Sequence, residues 1–396
     1  MKGTITQGTR SQQSVFLRHS QSNQCPQQGT DCEGPKTCRA VECRAESPQA
    51  TPPTTQGIIS SLKKYKSNRD VETAILRLGC KGRTDEALQL YYAVCLLDGL
   101  KQQCRRMKQQ RSAEKAVAAK ESATVDIDNN IEVQLDDDIV TYISESKLRP
   151  TTRLMNSAIN ACAQSEPFAC QSTAFDIFSS ATHTLGLTPN VFTFGSLLLC
   201  CARIGDVSTS LEILHNLEEG EKYPDVAPNE VIYSTVISSC ERSPLPNVDL
   251  ALEVLNRSLS FSLAAGNSVN EVKNEKKTSF KTSSTIGVTV FNTAMSTMAR
   301  AEQWKMAVQL LGEMMGDDTI RPPLLHVDAV IPKPDETTFR TVVAACERAC
   351  QWEELLQVAK AANEYGVRLN ETSLTSALHS CQQLGLADEA IRYLEL

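Results

Sequence analysis

The chain has 396 residues, of which 41% are hydrophobic and only 5% aromatic, and its formal net charge at neutral pH is −7. This length suits two or three ordinary domains, and the scarcity of aromatic residues favours helices packed through small side chains over a β-sandwich. The negative charge argues against strong non-specific binding to nucleic acid, and no apolar run approaches the roughly 18 residues of a membrane span.

Residues 1–56 are rich in Gln, Ser, Thr and Pro and poor in large apolar side chains, which is typical of a disordered segment. The first acidic residue is Asp31, and only Lys2, Arg10 and Arg18 carry charge before it. A basic, hydroxyl-rich and acid-free start indicates an organelle transit peptide, of a mitochondrion or a chloroplast. The alternative is an ordinary disordered N-terminus.

Cysteine is frequent, with 15 in the chain. Four lie in the N-terminal segment, Cys25, Cys32, Cys38 and Cys43, at wider gaps than the paired cysteines of zinc sites. Unstructured thiols are therefore favoured over a metal site there. Five of the others hold one helical position of a repeat and are expected to be buried free thiols in a reducing compartment. We predict no metal site and no organic cofactor.

Residues 57–123 are predicted to be helical, as a divergent opening repeat or a cap, in which Leu78 ends a first helix and Gly82–Tyr91 belongs to a second one. A basic helix follows over Lys101–Lys120. It is a solvated helix face in one interpretation and a phosphate-binding surface in the other. Residues 124–151 are acidic and show no core pattern, so they are predicted to be a linker rather than a carboxylate metal site.

From Thr152 onward one helical template recurs six times. In each copy four apolar residues are spaced as one stripe of an α-helix, and five of the six stripes end in cysteine. The copies are Met155, Ala158, Ile159, Cys162; Phe194, Leu197, Leu198, Cys201; Tyr233, Val236, Ile237, Cys240; Phe291, Ala294, Met295, Met298; Phe339, Val342, Val343, Cys346; and Leu374, Ala377, Leu378, Cys381. A second helix follows in most copies. A two-helix unit this small cannot bury both stripes alone, so the units must stack on one another.

The predicted units are 152–190, 191–229, 230–287, 288–335, 336–370 and 371–396. Two of them carry insertions. Residues 261–287 are rich in Ser, Lys and Asn and are expected to form a loop. Residues 316–333 contain three prolines and cannot be helical throughout.

The pattern resembles the pentatricopeptide repeat. The resemblance lies in openings such as Val290–Met295, in second helices such as Trp304–Leu311, and in the close Pro–Asn or Pro–Asp at residues 189–190, 228–229 and 334–335. It implies an all-α, right-handed α-solenoid of tandem helix-turn-helix repeats over residues 152–396. It also implies an organellar protein that binds single-stranded RNA, one base per repeat, in RNA processing, stability or translation.

In that family the fifth and last residues of a unit read the base. Transferred by register, the pairs are Asn156 with Asn190, Gly195 with Asn229, Asn292 with Asp335, and Arg340 with Asn370, while Ser234 and Thr375 also hold the fifth place. The resemblance implies that the Asn–Asp pair prefers uridine and the Asn–Asn pair prefers pyrimidines, since an amide offers both a donor and an acceptor. Glycine has nothing to read with and arginine is not a usual reader, so two units have well-matched pairs.

Two further sets of residues bear on RNA. The family sandwiches bases with an apolar residue at the second place, where Phe192 and Val231 fit. Near the end of the first helices four arginines form a column, and these are Arg203, Arg242, Arg300 and Arg348. A row of guanidinium groups could follow a phosphate backbone. The alternative is a set of exposed cations favoured by the helix dipole.

Catalytic motifs are missing from the sequence: there is no Gly-rich phosphate loop, no G-x-S-x-G elbow and no H-E-x-x-H. The chain is therefore not expected to be an enzyme, and a processing enzyme would have to be recruited in trans. Residues 152–396 carry 18 Lys and Arg against 29 Asp and Glu, a net charge of −11. This charge keeps a second hypothesis open, a protein–protein scaffold that uses the same concave face. A surplus of carboxylates on that face would favour the scaffold.

Overall fold

The computed structural model describes residues 57, 61–118, 137–165, 170–271, 286–317, 322–326 and 330–394. Over these ranges the chain is all-α, an α-solenoid of helical hairpins. The helices are α1 Asn68–Gly79, α2 Thr84–Ala118, α3 Asp137–Glu145, α4 Thr152–Ala163, α5 Gln171–His183, α6 Val191–Ile204, α7 Val207–Glu219, α8 Glu230–Arg242, α9 Val248–Glu271, α10 Val288–Arg300, α11 Trp304–Met315, α12 Glu336–Arg348, α13 Trp352–Glu364, α14 Glu371–Leu384 and α15 Ala387–Leu394.

The first helices of the hairpins form one layer. Helices α1, α4, α6, α8, α10, α12 and α14 each pack against the next member of this series. Each also packs against the second helix that follows it in the chain, and most second helices contact the next first helix as well. Every hairpin is therefore held by its neighbours, which is the defining contact pattern of an α-solenoid.

Most of these first helices begin behind a polar capping residue. The side chains of Asn190, Asn229, Asp335 and Asn370 accept the backbone N–H of the residue three places later. This bond satisfies one of the N–H groups that a helix start leaves without an intrahelical partner. The residue that ends one unit thus starts the first helix of the next.

The apolar stripe predicted for the first helices is buried. Tyr233, Phe291 and Phe339 are among the largest fully buried side chains of the described chain. The five cysteines that end the stripes are buried free thiols, as expected. Burial raises the pKa of the Cys240 thiol to about 11 and that of Cys346 to about 12, so both stay protonated and pack as small apolar groups.

Two segments differ from the prediction. Residues 124–151 were predicted to be a linker, yet they contain helix α3 and the buried side chains of Ile143 and Leu148. Lys101 ties this segment down, because its Nζ donates to the carbonyl oxygens of Ser146 and Leu148, both at 2.7 Å. The basic helix therefore begins with a structural lysine. Residues 261–271 were expected in a loop, but they continue helix α9.

The remaining predictions about the N-terminal region lie outside the described residues. This applies to the transit peptide and to the four cysteines between residues 25 and 43. In the part of the chain that the structure covers, no helix combines the length and the apolar character needed to cross a membrane. Within the same ranges, no group of three or more His, Cys, Asp or Glu side chains is arranged to hold a metal ion.

The stacking predicts a sharp contrast between two thiols of one hairpin. Cys346 is buried in α12, whereas Cys350 is exposed in the turn that follows. Since the thiolate is the reactive form, iodoacetamide should alkylate Cys350 in the native protein and reach Cys346 only after unfolding. Mass spectrometry of the two peptides measures both rates. Equal labelling of the two cysteines under native conditions would contradict the packing of α12.

Candidate nucleic-acid interface

One face of the first helices remains free of the core. Counting Thr152 as position one of its unit, positions two, five, nine and thirteen fall within about 80° of each other, opposite the buried stripe. Four successive first helices, α1, α4, α6 and α8, and the turn before α8 line a cavity of about 430 Å³ on this face. Its walls include Leu76, Asn156, Asn160, Phe192, Gly195, Leu199, Asn229 and Val231. The cavity therefore joins predicted base-reading and stacking positions.

Two apolar side chains stand out from this face into solvent. Phe192 is 75% exposed and Val231 is 60% exposed, and they hold the second position of successive units. Both lie at the cavity just described. An exposed apolar pair on the wall of a groove provides contact area for a flat, apolar ligand surface.

A hydrogen-bond network joins the first predicted reading pair. Asn156 Nδ2 donates to Asn190 Oδ1 at 3.1 Å. The hydroxyl of Thr193, the third residue of the next unit, lies 2.7 Å from Asn156 Oδ1 and donates to it. The same hydroxyl accepts the backbone N–H of Asn190 at 3.0 Å, which closes the network. Asn156 is thus held at both ends of its amide.

The same network occurs a second time, three units further on. Asn292 Nδ2 donates to Asp335 Oδ1 at 3.1 Å, and the Thr338 hydroxyl donates to Asn292 Oδ1 at 2.7 Å. Thr338 also accepts the backbone N–H of Asp335 at 3.0 Å. These are the two pairs that the sequence singled out, and each is organised in the same way.

The carboxylate of the second network is strongly solvated by the protein. Burial alone would raise the pKa of Asp335, but hydrogen bonds from the N–H and hydroxyl of Thr338 and from the amide of Asn292 outweigh it. The net effect lowers the pKa below its ordinary value, so the carboxylate is ionised at neutral pH. This network therefore carries a negative charge that the Asn156 network lacks.

The other predicted positions do not form this network. A Cβ built on Gly195 would meet no atom within 4 Å, so the fifth position of that unit opens onto empty space beside Asn229. Ser234 and Thr375 turn their hydroxyls back onto carbonyls of their own helices, at 3.1 and 2.8 Å. In the described chain no hydrogen bond joins Arg340 to the Asn370 side chain, which is occupied by capping its helix.

The four arginines of the column lie on the same helix face. Position thirteen follows position two by three turns, about 16 Å along the axis. Arg242, Arg300 and Arg348 are exposed, and Arg203 is half-buried. Arg348 Nη1 donates to the carbonyl of Ala299 on the preceding first helix at 3.2 Å. None of the four forms an ion pair with any residue that the structure describes.

One glycine brings two of these arginine-bearing helix ends together. Gly205 ends α6 in the left-handed region at φ 80°. A Cβ there would lie 2.6 Å from the carbonyl oxygen of Arg242, which no larger residue could tolerate without a shift. The end of α6 therefore touches the end of α8. Arg203 and Arg242 lie near these two ends and are neighbours in the arginine column.

At the start of the array an ion pair takes the place of a reading pair. Helix α1 is capped by Ser67, so its fifth residue is Glu72. The Glu72 carboxylate lies 3.5 Å from Nε of Arg153, the second residue of the next unit. Glu72 is mostly buried while Arg153 is 80% exposed. This unit is the divergent opening repeat of the sequence analysis, and its fifth residue is engaged internally.

A family comparison bears on this arrangement. Residues 289–318, which cover most of α10 and all of α11, match the family model of the PPR repeat. The hairpin they form is repeated along the described chain with an apolar stripe that packs into the core. This hairpin is therefore similar to a pentatricopeptide repeat. No curated protein matches the chain in sequence.

Two solved structures are similar to the chain at low sequence identity. The crystal structure of the pentatricopeptide repeat protein PPR10 from maize is 17% identical, with a TM-score of 0.24, over 85% of this chain and 54% of that one. PPR10 in complex with an 18-nt psaJ RNA element is 16% identical, with a TM-score of 0.22, over 86% and 56%. The chain thus spans about half the length of these structures.

Sequence reasoning missed two members of the hydrogen-bond networks described above. Thr193 and Thr338 are fully buried, and both bridge a fifth residue and a last residue. A signal was present, because each follows its capping residue by three places, as in a capping box. The pattern Asn-x-x-Thr or Asp-x-x-Thr occurs only at these two of the unit boundaries.

The lowered pKa of Asp335 predicts a specific pH dependence. A depressed folded-state pKa gives stability that is present above the ordinary value of 3.8 and is lost as pH falls through the lower folded-state pKa. Asp335→Asn should keep the cap, as Asn190 does, and change the free energy of unfolding at neutral pH by less than about 0.5 kcal/mol.

Below about pH 4 the wild type should lose stability more steeply than Asp335→Asn, because only the wild type has this carboxylate to protonate. Urea midpoints measured across acid pH test this difference. Asp225→Asn, at an exposed loop position, is the matched control and should behave as the wild type does. Parallel acid curves for wild type and Asp335→Asn would contradict the network.

Proposed function

We propose that this protein binds single-stranded RNA along the exposed face of its first helices. The observation that carries the proposal is the repeated three-residue network. Two asparagines at the same position of different units are each held at both ends of the amide, and both lie on the face that carries the arginine column. Nothing in the packing of the helices requires that arrangement twice.

The charge on this face supports RNA over a protein scaffold. In the six first helices from Thr152 onward, positions two, five, nine and thirteen hold six arginines and no aspartate or glutamate. They are Arg153, Arg203, Arg242, Arg300, Arg340 and Arg348. Carboxylates adjoin these positions, because Glu72 pairs with Arg153 and Glu241 accepts a hydrogen bond from Ser296. The five other arginines form no ion pair with a described residue and would attract a polyanion to this face.

Each part of the face has a role that its chemistry suits. The free edges of Asn156 and Asn292 offer hydrogen bonds to the edge of an unstacked base. The exposed ring of Phe192 and the side chain of Val231 provide stacking surfaces on either side of one base. The arginine row provides charge-assisted bonds to successive phosphates.

The spacing of the two networks sets the form of the RNA site. With one base per repeat, two bases lie between the bases read by Asn156 and Asn292. These two bases bind to the units that contain Gly195 and Ser234. Those two bases meet the groove through stacking and phosphate contacts. The proposed site is therefore a short single-stranded segment with two specified positions, and pyrimidines are expected at both, uridine at the one read by Asn292.

Selection from a pool of randomised short single-stranded RNAs tests this proposal. We expect the full chain to enrich sequences with two biased positions separated by two unbiased ones. Asn292→Ala should remove one bias and Asn156→Ala the other, each leaving the second intact. The scaffold hypothesis is favoured instead if the chain retains no RNA, or if enrichment has no such spacing.

The arginine row predicts the salt dependence of binding. Arg203→Ala combined with Arg300→Ala should weaken binding to every RNA in the pool alike. It should also reduce the slope of log affinity against log salt by about 1.4, since each phosphate contact contributes about 0.7 in single strands. Lys360→Ala combined with Arg392→Ala removes two exposed charges from second helices and should leave the slope unchanged. An unaltered slope in the first variant would remove the column from the site.

We further propose that the protein acts in an organelle, a mitochondrion or a chloroplast, in the processing, stability or translation of a transcript. The composition of residues 1–30 and the family resemblance support this location. A processing enzyme would act in trans. Fractionation of cells that express the full chain with a C-terminal tag tests the location, and a tag recovered outside both organelles would refute it.

A further inference from the structure

The third residue of each unit varies in step with the reader of the unit before it. Thr193 follows the unit with Asn156, and Thr338 follows the unit with Asn292. The units whose fifth residue is glycine or serine are followed by Ile232 and Val290, which have no hydroxyl. A bridging hydroxyl is thus present where the fifth residue is asparagine and absent where that residue is the glycine or the serine, which have no amide side chain.

A third case shows the hydroxyl without its partner. Ser373 holds the third position after the unit whose fifth residue is Arg340. Its Oγ is buried, the residue is only 2% exposed, and this oxygen has no hydrogen-bond partner within the described chain. A buried hydroxyl without a partner loses hydrogen bonds that it would make in water. Ser373 thus provides the hydroxyl oxygen of the network, but Arg340 stands where the network needs the amide of an asparagine.

The two bridging hydroxyls determine which edge of the amide remains free. A single hydrogen bond to Asn292 would leave the amide plane free to rotate about that bond. With Nδ2 bound to Asp335 and Oδ1 bound to Thr338, the plane is fixed. One N–H and one carbonyl lone pair then remain, in a fixed order along the outer edge.

We propose that the third residue of the following unit is a positioning residue for base recognition, and this rests on the RNA binding proposed above. The ordered donor and acceptor of a fixed amide match the O4 acceptor and the neighbouring N3–H donor of uracil. Cytosine presents the reverse order, so a fixed amide distinguishes the two pyrimidines and a rotating amide does so poorly. The hydroxyl therefore sets discrimination without touching the base.

Removal of one hydroxyl is the first test, with the same randomised RNA pool as the probe. Thr338→Val keeps the shape of the side chain and should flatten the base preference at the position read by Asn292 by roughly fivefold, the value of one hydrogen bond. The preference at the position read by Asn156 should not change, which makes it an internal control. Thr338→Ser should keep both preferences. A purely structural role in capping α12 would lower thermal stability and leave the preference intact.

Introduction of the network at an empty site is the second test. Gly195 has open space for a side chain, and Ile232 occupies the buried third position that Thr193 and Thr338 hold elsewhere. Gly195→Asn combined with Ile232→Thr should create a third biased base next to the one read by Asn156. Gly195→Asn alone and Ile232→Thr alone are the matched controls, and neither should create a comparable bias.

Arg340→Asn is a further test that needs no change in the core. Ser373 already supplies the hydroxyl, so this single substitution should create a biased base next to the one read by Asn292. The inference is overturned if Thr338→Val retains full preference, or if Gly195→Asn alone gains as much preference as the double variant. If the wild type enriches no RNA at all, the proposed function itself fails, which is a distinguishable result.

Discussion

The structure depends on the burial of one apolar stripe on every first helix. A hairpin of two short helices has too little interior to bury that stripe by itself, so each first helix must lie between its own second helix and its neighbours. Full burial of residues such as Phe291 and Phe339 fixes the rotation of each helix about its axis. The opposite face is then fixed as well, and it is the same set of positions in every unit. The groove is in this sense a consequence of the core.

The residue that ends most units caps the next first helix and, in the proposed site, also takes part in recognition. Asn190 and Asp335 cap the next first helix, and the same oxygen atoms accept the amide of the reader. Since Asn and Asp are the strongest capping residues, capping alone restricts the choice at this position. The fifth residue has no such structural duty, because its side chain lies on the exposed face. The fifth position accordingly varies widely among units, from Asn to Gly, Ser, Arg and Thr.

Periodic features were predictable from the sequence, and features that occur once were not. The spacing of Cys162, Cys201 and Cys240 marked the register, which placed the first helices and the predicted readers on one face. Helix α3 could not be predicted, because its burial depends on contacts to a distant part of the chain, such as the bonds of Lys101 to Ser146 and Leu148. The bridging threonines were missed for a different reason. A threonine at a helix start is explained by capping, and only the coordinates show that its hydroxyl also reaches the preceding unit.

The number of readers limits what kind of RNA binding this face can support. A good pair of hydrogen bonds to a base edge is worth about 1–3 kcal/mol of discrimination. Two such pairs, at the positions of Asn156 and Asn292, would give about thirtyfold to about twenty-thousandfold preference. Binding energy beyond that must come from the arginine row and from stacking on Phe192 and Val231, which are indifferent to sequence. In the proposed site, such a surface would hold many RNA segments and rank them, so its selectivity would depend on the two amides being held rigidly. The two buried hydroxyls would then matter to recognition without contacting the RNA.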